Sequence, residues 1–108
     1  MKIDIFCHIM PPKYLQALEK KIASEVLKHL PSNFLPALAD LGLRFKIMDH
    51  YLDMVEVLTV ANPPVETMLE PADAIELSRL VNDEMAELVA KYPDRFVGAV
   101  ACLPMNDV

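Results

Sequence analysis

Glycine is nearly missing from this chain: Gly42 and Gly98 are the only two. A phosphate-cradling loop and a dinucleotide fingerprint each need closely spaced glycines, so both are excluded. Basic residues are scarce as well, with ten Lys and Arg against sixteen Asp and Glu and a formal charge of −6. The longest basic run is Lys20-Lys21, whereas phosphate backbones are bound by clustered cations. Nucleic acid is therefore not an expected partner. The two cysteines, Cys7 and Cys102, sit at the ends of apolar runs rather than in loops. They read as reduced, buried thiols and not as a disulfide framework. No stretch approaches the roughly 20 apolar residues of a membrane span. Asp4 falls where a signal peptide would need unbroken hydrophobicity. The expectation is a cytoplasmic protein with no membrane contact.

What the chain does have is hydrophobicity. Apolar residues make up 54% of it and the mean hydropathy is +0.26, which excludes intrinsic disorder. Its 108 residues suffice for one small core but not for a large catalytic barrel. A short chain this apolar is expected to bury part of its surface against something else, as a homo-oligomer or with another chain.

Residues 2–9 (KIDIFCHI) alternate. Ile3, Ile5, Cys7 and Ile9 take one face, and Lys2, Asp4, Phe6 and His8 the other, as in a strand. Pro11-Pro12 ends it. Residues 13–30 carry Leu15, Leu18, Ile22, Val26 and Leu30 at helical spacing. A second helical stretch covers roughly 34–53, with an interruption near Gly42. Residues 55–60 (VEVLTV) read as a strand running into Asn62-Pro63-Pro64, and 65–71 as loop or a short turn. The clearest helix is 72–91, where Ile75, Leu77, Leu80, Val81, Met85, Leu88 and Val89 trace one face. Residues 96–102 (FVGAVAC) are apolar throughout, as a strand covered on both faces should be. Met105-Asn106-Asp107 starts another connection. The order β-α(α)-β-α-β, with long crossovers, demands parallel strands and hence an α/β fold.

In parallel α/β folds, chemistry gathers at the carboxyl ends of the strands. His8 lies at the exit of the first strand. It is either a metal ligand or proton-transfer group, or a histidine satisfied by a backbone carbonyl. Cys7 points to the opposite face and shares a metal with His8 only if the strand is bulged. It reads as a small buried hydrophobe, as does Cys102. His29, His50, Asp49, Asp53, Glu84 and Glu87 read as solvated helix-face groups, and the seven methionines as core filler.

Three segments carry a resemblance: KIDIFCHIMPPKY (2–14), VLTVANPPVE (57–66) and VNDEMAELVAKYPDRFVGAVACLPMND (81–107). In that order they resemble the N-terminal part of the amidohydrolase-related family that includes aminocarboxymuconate-semialdehyde decarboxylase and the resorcylate-type decarboxylases. The resemblance implies that residues 1–108 are one α/β segment, the N-terminal third of a (β/α)8 TIM barrel. It also implies a divalent metal, zinc or in some relatives manganese, and a small-molecule aromatic or unsaturated carboxylic acid as substrate. The family's opening motif binds metal through two histidines. His8 matches the second, and Phe6 stands in place of the first, where it cannot ligate but can line a substrate pocket. One imidazole falls short of the roughly three protein ligands of a catalytic zinc site. The expectation is a shortened relative or fragment, inactive alone, or else an association module that works by oligomerisation or fragment complementation.

Overall fold

The computed structural model describes residues 1–106. A three-stranded sheet in the order β1-β2-β3 is formed by β1 (Lys2–Ile9), β2 (Met54–Val60) and β3 (Phe96–Ala99). Both pairings are parallel. The first crossover contains α1 (Pro12–Glu19), α2 (Ser24–Lys28), two 3-10 turns at Pro31–Asn33 and Pro36–Leu38, and α3 (Leu41–Met48). The second contains α4 (Val65–Met68) and the long α5 (Pro71–Lys91). No helix among the described residues is long and apolar enough to cross a membrane.

One core joins sheet and helices. Ile9, Leu58 and Phe96, one from each strand, meet Tyr14 and Leu18 of α1 and Leu77, Val81 and Met85 of α5. Each such side chain contributes roughly 1.5–3 kcal/mol on burial. The α5 face is the one its periodicity predicts. Lys21, just past the end of α1, pairs with Asp73 (3.0 Å) and Glu76 (3.2 Å) of α5.

The first crossover departs from expectation. The single helix over 13–30 is broken at residues 20–23, where Ala23 is extended before α2 begins. Val26, expected in the core, is exposed, because the chain has turned before reaching it. Gly42 does not interrupt the next helix but lies inside α3, whose start is capped by the Asp40 carboxylate accepting from the Leu43 amide at 3.0 Å. Over 65–71, where a loop or short turn is expected, the chain makes the single turn of α4.

The faces of β1 also differ from simple alternation. Asp4 pairs with Glu56 and Cys7 with Leu58, so three steps along β1 match two along β2. This is a β-bulge. A one-residue slip exchanges the faces of a strand. Cys7 and Ile9 are buried as expected, but Ile3 (56% exposed) and Ile5 (68%) are not covered by helices. Asp4 moves to the Cys7 side, where the thiol donates to its carboxylate.

The third strand ends early, at Ala99 rather than residue 102. The Asn82 amide on α5 grips the Cys102 backbone from both sides. Its Nδ2 donates to the Cys102 carbonyl at 2.9 Å, and its Oδ1 accepts the Cys102 amide at 2.7 Å. That clamp draws the chain off the sheet. Val97 and Val100 are exposed, so β3 is not covered on both faces. The connection expected at 105–107 opens with a turn at Met105 and Asn106, and Asp107 lies outside the described residues.

Candidate functional site

His8 sits at the carboxyl end of β1, directly opposite Thr59 of β2, on the rim of the parallel sheet. It is half-buried. Its Nδ1 lies 3.3 Å from the Thr59 hydroxyl. The Phe6 ring meets the imidazole edge-on, with centroids 5.1 Å apart and planes at 88°. Phe6 is itself 72% exposed, because among the described residues no helix covers this side of the sheet. Beyond the bulge, Phe6 and His8 therefore share one side. Asp4, expected beside them, does not.

Beneath the rim, Arg44 of α3 gathers all three strands. Its Nε and Nη2 donate to Glu56 Oε2 of β2 at 3.0 and 2.8 Å. Its Nη1 donates to the His8 carbonyl of β1 at 3.0 Å. Its guanidinium carbon stands 5.9 Å from the centroid of the Phe96 ring of β3. Both charged side chains are nearly buried. The carbonyl of His8 is thus satisfied by a side chain, while its imidazole faces Thr59. Sequence reading missed Arg44, Glu56 and Thr59. The available signal was Glu56 itself, a charge set between Val55 and Val57 in an otherwise apolar strand, which demands a partner.

The acid–base groups near β1 are not tuned for nucleophilic chemistry. The hydrogen bond from Cys7 and the Phe6 amide (3.0 Å) hold the Asp4 carboxyl below its usual range. Burial first, and then the bond to Asp4 and the charge of Glu56, push the Cys7 thiol well up. Burial likewise raises Cys102, whose sulfur lies 3.7 Å from Ser78 Oγ. Both thiols stay protonated near neutrality, Cys7 buried as expected and Cys102 only partly so. Other predicted positions sort differently. His29 and His50 are exposed at helix ends. Asp49 pairs with Arg95 at 2.8 Å, and Asp53 with Lys2 at 3.5 Å. Glu84 is no solvated helix-face charge, because it is buried against the start of α1. Glu87 remains exposed beside Lys13.

The metal question turns on donors. Among the described residues no three His, Cys, Asp or Glu side chains gather where they could hold an ion. At the rim the donor set is the single imidazole of His8, with hydrocarbon at Phe6. These residues alone do not fit a catalytic metal centre, which needs about three protein ligands.

No protein-family profile matches the chain. It is similar to the gamma-resorcylate decarboxylase of Rhizobium sp. (strain MTP-10005), 33% identical over 106 residues that make up 98% of this chain and 31% of that protein. It is 40% identical over 65 residues to the gamma-resorcylate decarboxylase of Rhodococcus jostii (strain RHA1), covering 60% of this chain and 20% of that one. A crystal structure of 2,6-dihydroxybenzoate decarboxylase complexed with 2,6-dihydroxybenzoate superposes with a TM-score of 0.68 at 32% identity, over 98% of this chain and 32% of that one. The α/β class and the partial (β/α)8 barrel expected from the sequence both hold. The chain spans about a third of the length of the relatives it matches.

Proposed function

From the premise that the chain belongs to the amidohydrolase-related family, as a match to the N-terminal part of its resorcylate-type decarboxylases, we propose that residues 1–108 form a single segment equivalent to the first third of such a barrel. The segment is inactive alone. In a complete barrel it contributes His8 to a divalent metal, zinc before manganese, or to substrate, and Phe6 to the wall of a pocket for an aromatic or unsaturated carboxylic acid. The reaction class is non-oxidative decarboxylation or a related hydrolysis, in the cytoplasm. The single observation that supports this reading is His8 at the carboxyl rim of three parallel strands, opposite Thr59. With one imidazole there is no centre to activate a substrate, which is why inactivity is part of the proposal.

The purified chain is expected to carry no stoichiometric zinc or manganese by elemental analysis. It is also expected to release no carbon dioxide from 2,6-dihydroxybenzoate. Tightly bound metal at one ion per chain, or turnover by the chain alone, would overturn the inactive-segment reading.

A second reading, an association module, is favoured by the uncovered side of the sheet. Ile3, Ile5, Phe6, Val97 and Val100 are all exposed, and β1 and β3 are both edge strands. Open edges of this kind invite pairing with another chain. The accessible surface is 6614 Å², against about 6,000 Å² for a compact monomer of this mass. The excess approaches the roughly 800 Å² per partner of a standard interface. Sedimentation velocity at micromolar concentrations should therefore show a self-associated species. A monomer that melts cooperatively would eliminate this reading.

A further inference from the structure

We propose that a second copy of this chain covers the open side of the sheet, stacking face to face rather than joining edge to edge, and so closes over Phe6 and His8. The inference rests on the association reading above and names both its surface and its partner.

Three observations carry it. The first is that the strand edges are largely taken up by the chain itself. The Ile9 carbonyl accepts from the Ala61 amide beyond β2 at 2.9 Å, so by alternation the backbone groups of His8 and Met10 point to the free edge of β1. There Arg44 Nη1 donates to the His8 carbonyl at 3.0 Å, and the Met10 amide donates to the Leu38 carbonyl at 2.8 Å. The Phe6 amide is spent on the Asp4 carboxylate. On the other side β3 has only four residues. Its Phe96 amide donates to the Tyr92 carbonyl at 2.9 Å, and the Asn82 clamp holds Cys102 beyond its end. Short edges with occupied groups are poor templates for a further strand.

The second observation is the character of the face. Ile3, Phe6 and Val97 are exposed on it, whereas parallel sheets occur almost only with both sides covered. The third is charge. Copies carrying −6 each repel one another. Both acids of the three strands point away from the open side, Asp4 to the Cys7 thiol and Glu56 to Arg44. Two copies can therefore meet there without opposing strand carboxylates. At the roughly 10 Å spacing of stacked sheets, the apolar side chains of the copy lie against the Phe6 ring and shut water out from His8.

Sedimentation velocity over a concentration series gives the dimer dissociation constant. Ile3→Glu and Val97→Glu, each at a position about half exposed, should raise it by about 100-fold or more, because the dimer then buries two like charges without partners. Ile47→Glu, at a comparably exposed position on α3, adds the same charge away from the face and should leave it within about threefold. In the wild type, concentration-dependent NMR shifts should fall on Ile3, Phe6, His8 and Val97. A dimer that tolerates both face variants, or shifts confined to strand-edge amides, would overturn face stacking and leave self-association standing. A monomeric wild type would remove both. The wild-type shifts decide the matter even if a variant does not fold.

Discussion

Arg44→Met is expected to lower the free energy of unfolding by about 3–5 kcal/mol, the usual cost of removing one partner from a buried ion pair. The guanidinium holds Glu56 through two bonds to one oxygen and also satisfies the His8 carbonyl. Methionine fills much of the volume but leaves a carboxylate nearly out of water with nothing to neutralise it. A domain of this size holds only about 5–15 kcal/mol in all, so the single variant should be half unfolded at modest urea. The measurement is the urea midpoint at unchanged slope. Combining Arg44→Met with Glu56→Leu should recover most of the loss, since replacing both members of a buried pair by apolar groups is often neutral or better. A single-variant cost below about 1 kcal/mol would place the pair in the class of exposed bridges and remove its role as the tie between three strands.

Glu84→Ala is expected to cost about 2 kcal/mol, in the range of a lost helix cap with charge-assisted bonds. The start of α1 follows Pro11, which offers no side-chain acceptor. Its first free amides are served instead from another helix. The Glu84 carboxylate accepts from the Lys13 amide at 2.9 Å and the Tyr14 amide at 2.8 Å. The negative charge also faces the positive end of the α1 dipole. Glu84→Gln retains one acceptor oxygen and should lose less. The neighbouring pair between Lys13 and Glu87 is exposed, so Glu87→Ala should cost under about 0.5 kcal/mol. Hydrogen exchange at the Lys13 and Tyr14 amides is the local readout. Unchanged protection in Glu84→Ala would show that the helix start does not depend on this carboxylate.

Much of the architecture is visible in local patterning. Alternation in residues 2–9, the β-branched run at 55–60 and the periodic stretch at 72–91 each specify an element, and the long crossovers compel parallel pairing. His8 at the rim follows from strand direction alone. What stays hidden depends on partners distant in the chain. The bulge in β1 exists only relative to the register of β2, so period-2 counting assigned Asp4 to the wrong side. The clamp on Cys102 needs Asn82, twenty positions away, and without it the apolar run 96–102 looks like one continuous strand. Glu84 stands in helical phase with Leu77, Val81 and Leu88 on the buried face of α5, and only its charge made it read as a solvated position. The breaks inside 13–30 come from a crossover that must turn back over the sheet, a demand that helical periodicity does not register.

The extra residue in β1 has a consequence for how this segment tolerates changes of length. Pairing is regular on both sides of the irregularity, with Ile3 and Asp4 before it and Cys7 to Ile9 after it. Removing Ile5 would leave one residue opposite Val57 and keep every other partner in place. The ladder has a slack joint upstream of the histidine, and none downstream. A deletion at the joint is absorbed there, whereas loss of Ile9 would draw His8 into the inward-facing place before Met10 and carry Cys7 out to the open side.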